Sequence, residues 1–192
     1  MSSDSRSRAG ANGKMLRVLG VDPAVAGATG YGIVEFKDTR PQLVRYGAHK
    51  IPKQATFAAR LREIHRLISG LVEEFAPDAV AVESVFTALN VKTALRLAEM
   101  RGVVLLAAAQ AQIPAHSYSP REVKASVSGY GGASKRQMQQ MVSSLLGLSA
   151  FPEPADAADA LAVALCHAHA ARARERMAAA TSGGRSRPRR IP

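Results

Sequence analysis

Four carboxylates stand at positions where acidic side chains can do chemistry. Asp22 and Glu83 each come directly after a short apolar run, LRVLGV and AVAV. Asp156 and Asp159 are spaced three residues apart at the start of a later apolar segment, so they share one face of a helix. Converging carboxylates cannot all stay ionised without a cation, and carboxylate oxygens prefer hard ions such as Mg²⁺ or Mn²⁺. We therefore expect a metal site, and two such ions would suit phosphodiester hydrolysis.

Each acid also has an ordinary structural explanation. Asp22 precedes a proline, and Asp-Pro favours turns. Glu83 could be a charge at the end of a strand. Asp156 lies in the first turn of a predicted helix, where an acid stabilises the helix dipole. Asp159 lies deeper in the apolar helix and is harder to explain in this way. The role of Asp156 as a ligand, a general base or a helix cap stays open.

The charge and composition favour a nucleic-acid partner. The chain has 192 residues, a formal net charge of +11 and 47% hydrophobic residues, which suits one globular domain. No apolar run reaches the roughly 18 residues of a membrane span, and the N-terminus lacks the apolar region of a secretory signal. The single cysteine, Cys166, is expected to be a small core residue and suits a reducing cytoplasm. We expect a cytoplasmic protein that attracts phosphate.

The elements that must position the acids follow from hydrophobic periodicity and turn residues. The predicted strands lie at 16–21, 30–36, 43–50, 79–82 and 114–118. The predicted helices lie at 57–75, 89–112, 120–127, 134–146 and from 156 to about 174. We expect a disordered basic N-terminal extension at 1–14, a nuclease domain at 15–174 and a disordered Arg-rich tail at 175–192.

This order of elements predicts an α/β domain with a mixed sheet. The first three strands form an antiparallel meander, and the later strands join through helical crossovers that make them parallel. If the strands that end at Asp22 and Glu83 are parallel neighbours, both carboxylates emerge at one edge of the sheet, where open α/β sheets carry their sites. His167 and His169 follow three or more turns after Asp156, so we expect them to be structural or surface residues.

Further residues have side chains that suit nucleic acid. Phe86 lies in a polar loop before the long helix, where its ring could stack on unpaired bases, worth about 1–3 kcal/mol per base, or close the sheet edge as a core residue. Lys124, Lys135 and Arg136 flank a glycine-rich turn, where they could contact phosphate or form a solvated basic face. Lys135 or Arg136 near a scissile phosphate could stabilise developing negative charge.

The second half of the long helix, VVLLAAAQAQ, is apolar on more than one face. Its small alanines allow another helix to approach closely, so we expect it to pack across a two-fold axis as well as on its own sheet. A two-fold dimer would place two active sites on opposite strands of a two-fold substrate and give paired cuts.

Five motifs carry a resemblance to a known family. They are DPAVAGATGYG (22–32), VESVF (82–86), ALRLAEMRGV (94–103), REVKASVSGYGGASKRQMQQMV (121–142) and ADAADALAVALCHAH (155–169). In this order, over about residues 15–171, the chain resembles the RuvC Holliday-junction resolvases. The resemblance implies the RNase H-like fold, with a mixed five-stranded sheet flanked by helices, and a homodimer. It also implies Mg²⁺-dependent, paired nicking of four-way DNA junctions in recombination and repair, with the RuvA-RuvB branch-migration complex as partner.

The resemblance also assigns roles to residues. The family's catalytic, metal-binding acids fall on Asp22, Glu83, Asp156 and Asp159, and some members have His at the position of Asp156. Its aromatic wedge falls on Phe86, and its basic DNA contacts fall on Lys124 and Lys135, with Arg136 a neighbouring candidate. The chain departs from the family pattern after Asp22, where Ala24 replaces a Gly and one extra residue is present, so that loop's conformation and DNA contacts are in question.

Other functions compete with junction resolution. One is an RNase H-like nuclease that acts on another branched or RNA-containing substrate, and Phe86 and the resolvase-like spacing disfavour it. A second is a non-catalytic junction-binding protein, which the full set of four acids disfavours. A third is an actin-like ATPase or sugar kinase, whose phosphate loop also places Asp, Gly and Thr after a first strand. Such proteins need two domains of this kind and a longer chain.

Overall fold

The computed structural model describes residues 15–25, 27–37, 40–84 and 90–183. Its strands are β1 (Leu16–Asp22), β2 (Ala28–Lys37), β3 (Arg40–Lys50), β4 (Ala79–Glu83) and β5 (Ala115–Tyr118). Its helices are α1 (Phe57–Phe75), α2 (Val91–Gln110), α3 (Pro120–Ser128), α4 (Lys135–Leu146) and α5 (Ala155–Gly183). All five predicted strands and all five predicted helices are present, in the predicted order.

The five strands form one mixed sheet in the order β3-β2-β1-β4-β5. The meander β1-β2-β3 is antiparallel, and β4 and β5 add to the other side of β1 as parallel strands. The predicted mixed sheet is therefore confirmed. The hairpin of β2 and β3 is longer than predicted, because pairing continues from Ala28 with Lys50 to Lys37 with Arg40.

The two faces of the sheet carry separate hydrophobic clusters. Because side chains alternate along a strand, Val18 of β1 packs with α3, α4 and α5, whereas Leu19 and Val21 pack with α1 and α2. Asp22 lies four positions after Val18, and Glu83 lies two positions after Ala81, so each acid points to the same face as that residue. Ala81 belongs to the same cluster as Val18. Both acids therefore point to the face that α5 covers.

Glycines let α5 lie directly on the backbone of β1 and β2. A Cβ at Gly20 would lie 2.1 Å from the carbonyl oxygen of Ala160, and one at Gly30 would lie 1.9 Å from the carbonyl oxygen of Asp156. Real Cβ atoms do not approach backbone so closely, so any other residue would push the helix away. The start of α5 is thus held against the strand that pairs with the end of β1.

The last helix is longer than the sequence predicted. The expected end near Arg174 is wrong, because α5 continues to Gly183. The stretch after Arg174 contains strong helix formers such as alanine, arginine and methionine, and no glycine or proline interrupts it before Gly183. Residues 175–183, which were assigned to the tail, are therefore helical. None of the helices in the described ranges is both long enough and apolar enough to cross a membrane.

Candidate active site

Asp22 and Glu83 lie side by side at the carboxyl ends of two parallel strands. Val21 of β1 is in register with Val82 of β4, and each acid is the next residue of its strand. Parallel neighbours lie about 4.8 Å apart, so the two carboxylates share one edge of the sheet, as predicted.

The start of α5 brings two more acids to this edge. Asp156 lies in the first turn of α5, and its backbone rests on Gly30, which pairs with Asp22 across β1 and β2. Asp159 follows on the same side of the helix. We call Asp22, Glu83, Asp156 and Asp159 the acid cluster, because the structure gathers these four predicted carboxylates at one edge.

Burial and mutual repulsion make it unfavourable for Asp22 and Glu83 of the acid cluster to ionise. The pKa of Asp22 is raised from 3.8 to about 8, mainly by burial and then by the negative charges of Glu83, Asp159 and Asp156, against the lowering effect of Lys135. Burial also raises the pKa of Glu83, with a further contribution from Asp159 and an opposing one from Lys124. Without a cation in the cluster, Asp22 holds a proton at neutral pH.

Lys135 supplies positive charge to the cluster. Its ammonium donates a hydrogen bond of 2.9 Å to a carboxylate oxygen of Asp159. That hydrogen bond is the main reason why the pKa of Lys135 is raised. The position of Lys135 follows from helix capping: Ser134 is the N-cap of α4 and forms a capping box with Gln137, which fixes where the helix starts.

A cavity of about 230 Å³ opens between the acids and the lysines, and we call it the lysine cavity. Its polar walls are Glu83, Asp159, Lys124 and Lys135, and its apolar walls come from α3, α4 and α5. Lys124 and Lys135 therefore lie beside the acid cluster. Arg136 is exposed on α4 and is not part of this wall. Phe86 lies outside the described residues.

Comparison with known proteins agrees with this geometry. The family model described as crossover junction endodeoxyribonuclease RuvC matches residues 18–167. The chain belongs to the RuvC family. A crossover junction endodeoxyribonuclease RuvC of Chloroflexus aurantiacus is 48% identical over 147 residues, which cover 77% of this chain and 89% of that protein.

Two solved structures of the same family share the fold. The RuvC of Thermus thermophilus matches with a TM-score of 0.75 and 34% identity, covering 82% of this chain and 96% of that one. The T. thermophilus RuvC solved in complex with a Holliday junction substrate matches with the same TM-score and 32% identity, at the same coverage. The predicted RNase H-like fold and family are thus confirmed.

The donor atoms of this RuvC-family chain are carboxylate oxygens, which hard divalent cations prefer. Four carboxylates lie at one sheet edge, and burial and mutual repulsion make protonation or a bound cation necessary. Within the described ranges, no three Asp, Glu, His or Cys side chains are grouped closely enough to hold one ion together. The Lys135 ammonium on Asp159 provides the balancing charge instead.

The two histidines of α5 lie away from the acids, as predicted. His167 is buried, its Nδ1 is hydrogen-bonded to the hydroxyl of Tyr118 at 2.9 Å, and its ring lies 4.4 Å from that of His116. The pKa of His167 is lowered to about 4, mainly by burial and then by the charges of His116 and Arg174. The ring of His169 packs edge-on against Phe36.

Sequence reasoning missed the glycines that set the position of the acids. Gly20, Gly30 and Gly32 recur at alternate positions on the two strands under α5. This period of two was a usable signal, because it places all three on one face of a sheet. A strand face without side chains indicates that another backbone approaches closely.

Proposed function

We propose that this chain is a structure-selective endonuclease that resolves Holliday junctions by paired, metal-dependent nicking of two opposite DNA strands in homologous recombination and DNA repair. The observation that carries the proposal is the acid cluster beside two lysines at the carboxyl ends of β1 and β4. It supports this role because the chain belongs to a family whose members are named crossover junction endodeoxyribonucleases. One such relative was solved with a Holliday junction substrate.

The acid cluster would hold the metal. We assign Asp22, Glu83, Asp156 and Asp159 as catalytic ligands of Mg²⁺, with two ions per site, and Mn²⁺ as a substitute. Bound ions of this kind activate a water and stabilise the leaving 3′-oxygen. Asp22 contributes by losing the proton that burial and repulsion hold on it in the metal-free state.

Lys124 and Lys135 would bind the phosphate of the DNA substrate. Lys135 and Lys124 border the cavity that the acids line, so both can approach a phosphate that enters it. An ammonium placed there stabilises the negative charge that develops on the phosphoryl oxygens. We assign Arg136 as a neighbouring contact to the DNA backbone. We assign Phe86 as the aromatic residue that meets bases at the junction centre.

The exposed face of α2 supports a homodimer. Val91, Leu95 and Leu106 keep 75%, 61% and 52% of their surface in solvent. With Ala98 and Gly102 they form one stripe at helical spacing, and all five are exposed. A Cβ at Gly102 would meet nothing within 4 Å. An apolar stripe with small residues at its centre suits close packing against a second copy of the same helix, so we propose a two-fold dimer along α2.

The dimer is tested by its assembly and its cutting pattern. Leu106→Glu places a charge in the stripe and should shift sedimentation from dimer to monomer, whereas Arg62→Glu on the exposed side of α1 should not. The monomer should nick one strand at a time, so paired cuts should become independent. An unchanged sedimentation coefficient for Leu106→Glu would contradict the proposed interface.

The activity is tested with a synthetic four-way junction. In Mg²⁺ the protein should make symmetric nicks in two opposite strands, and ligase should be able to seal them. Asp159→Asn should abolish cutting while junction binding persists, whereas Asp78→Asn, which removes a carboxylate at the other end of β4, should cut normally. Normal cutting by Asp159→Asn would overturn the metal-site assignment. Equal cutting of a linear RNA–DNA hybrid would favour the RNA-directed alternative.

Two further assignments complete the proposal. A cytoplasmic location suits the one cysteine, which is buried and unpaired with another cysteine. A junction resolvase must act after branch migration, so we propose a RuvA-RuvB complex as its partner, by family membership.

A further inference from the structure

A second basic cavity lies at the end of β3, and we call it the β3 pocket. It has a volume of about 730 Å³ and is lined by Val25, Gly27, Arg60 and the segment 50–53. Val25 and Gly27 belong to the loop after Asp22, where the chain departs from its family's pattern. The altered loop therefore forms one wall of a cavity whose other walls carry Lys50, Lys53 and Arg60.

The β3 pocket opens on the same sheet edge as the acid cluster. Asp22 of β1 pairs with Gly30 of β2, Gly30 pairs with Ala48 of β3, and Lys50 ends β3 two residues later. The lysine cavity lies on the opposite side of Asp22, beyond β4. Along this edge the acid cluster therefore has lysines on both sides, and Val25, Ile51 and Arg60 place the body of the β3 pocket on the α1 face of the sheet, opposite to the face that the acids point to.

The charge of the β3 pocket is not balanced locally. None of the described residues that line it is acidic. Both lysines are exposed, and no ion pair joins Lys50 or Lys53 to an acid within the described ranges. Arg60 donates to the carbonyl oxygens of Pro52 and Lys53, which fixes the loop that carries Lys53. Its position in α1, one turn from the N-terminus, opposes the helix dipole, so helix stability does not explain its charge.

We propose that the β3 pocket binds the phosphodiester backbone of the DNA strand that is being cut, at a phosphate separate from the scissile one. The inference rests on the proposed function, because it takes the acid cluster as the place of cutting. Lys50 and Lys53 bind the phosphate, Arg60 adds charge and holds the loop, and Val25 and Ile51 offer an apolar surface to the sugar.

The distance along the sheet edge sets which phosphate this is. β3 is two strands away from β1, and neighbouring strands are about 4.8 Å apart, so the pocket lies about 10 Å from Asp22 along the edge. A strand that runs along the edge would therefore place a phosphate within the first few nucleotides from the cut in the β3 pocket.

The decisive experiment combines a lysine variant with single neutral phosphates. Junctions carrying one methylphosphonate at each of positions one to six from the cut are titrated with wild-type protein and with Lys50→Ala/Lys53→Ala. In wild-type protein, neutralising the contacted phosphate should weaken binding about eightfold at 0.1 M salt, the effect of one phosphate contact. In the double variant the same methylphosphonate should have little further effect, because the contact is already lost.

A matched variant separates this contact from a general loss of charge. Arg62→Ala/Arg66→Ala removes two cations from the exposed side of the same helix as Arg60. It should keep the methylphosphonate effect, and its salt dependence should stay close to that of wild-type protein. The slope of log affinity against log salt should fall by about one for Lys50→Ala/Lys53→Ala. If both double variants behave alike, or none of the six positions couples to the lysines, the inference is wrong.

Failure of the proposed function would look different. A wild-type protein that binds junctions without cutting them would overturn the nuclease proposal. The β3 pocket would still be tested by the salt dependence of binding and by the coupling between the lysines and the methylphosphonates, whose positions would then be counted from the junction centre. A wild-type protein that binds neither junction nor duplex DNA at low salt would overturn both.

Discussion

Replacing Asp22 by Asn should stabilise the metal-free protein at neutral pH. Asn has the same shape as Asp but no charge, so it removes the repulsion from Glu83, Asp156 and Asp159 without leaving a hole. The wild-type carboxyl has its pKa raised to about 8, mainly by burial. At pH 7 the unfolded chain ionises freely whereas the folded chain resists ionisation, and this difference lowers the free energy of unfolding.

The magnitude follows from the size of the pKa change. Between the ordinary value of 3.8 and pH 7 the folded carboxyl stays protonated. Each of these roughly three pH units is worth about 1.4 kcal/mol. Because Asp22 is only partly buried, solvent screening reduces the effect, and we expect Asp22→Asn to gain about 2–4 kcal/mol. In a chain of this size that raises the melting temperature by about 5–15 °C.

The sign of the pH dependence is fixed by the direction of the shift. An acid whose pKa is raised on folding gives its full stability below its unfolded pKa of 3.8 and loses it as pH rises towards 8. The wild-type protein should therefore lose stability across this range relative to Asp22→Asn. Below pH 3.8 the two proteins should melt alike.

The assay is thermal melting in EDTA at several pH values, with Asp78→Asn as control. Asp78 is exposed and accepts a hydrogen bond from the backbone N–H of Arg17, which Asn can also accept, so the control should melt like wild-type protein throughout. Mg²⁺ should raise the melting temperature of wild-type protein more than that of Asp22→Asn, because ligand binding stabilises the folded state that holds it. If Asp22→Asn melts below wild-type protein at pH 7 in EDTA, the Asp22 carboxyl does not destabilise the folded protein and the reasoning is refuted.

Three further changes test the surroundings of the acid cluster. Lys135→Ala should bind Mg²⁺ several-fold more tightly in calorimetry, because the ion no longer competes with the ammonium, yet should cut about 100-fold more slowly in single-turnover assays. A rate equal to wild-type would remove Lys135 from the mechanism. Gly30→Ala should lose about 3 kcal/mol of stability and most cutting, since its Cβ would displace the backbone of Asp156. Gly70→Ala, with open space around it, is the control that should melt no lower than wild-type protein. His167→Gln should flatten the loss of stability as pH falls from 6.5 towards 4, worth about 2–3 kcal/mol, because the lowered histidine pKa gives stability only above this range. Denaturant titrations at pH 7 and 4.5 measure this effect. If the histidine is not responsible, the variant should lose as much free energy of unfolding between these pH values as wild-type protein does.

The fold was predictable because its signals are local. Each acid-bearing strand is a short apolar run bounded by turn residues, and α1 shows helical spacing throughout. Asp22 is an even number of positions from Val18, and Glu83 is an even number of positions from Ala81. This spacing fixes which face of the sheet both acids share. These patterns need no knowledge of distant residues, and the ordered motifs added the family.

What the sequence did not predict depends on contacts between distant segments. Lys135 reaches Asp159 across 24 positions of the chain, and only the packing of α4 on α5 makes that pair. The close approach of α5 to Gly30 is a backbone contact, which hydrophobic patterns do not report. The end of α5 was also missed, because a charged, alanine-rich stretch is compatible with both a solvated helix and a disordered tail.

The order of charges along the sheet edge explains how an acidic site can accept a polyanion. Asp22 and Glu83 would repel a phosphate if they were ionised. Burial raises the pKa of both carboxyls, and Asp22 keeps its proton at neutral pH until a cation arrives. Lys124 and Lys135 lie on one side and Lys50 and Lys53 on the other. A DNA strand bound at both sides would therefore be held across the acids. Its phosphate charge then favours entry of divalent ions, so substrate binding and metal binding reinforce each other. Junction affinity should accordingly rise with Mg²⁺ in wild-type protein, and this rise should be smaller in Asp22→Asn.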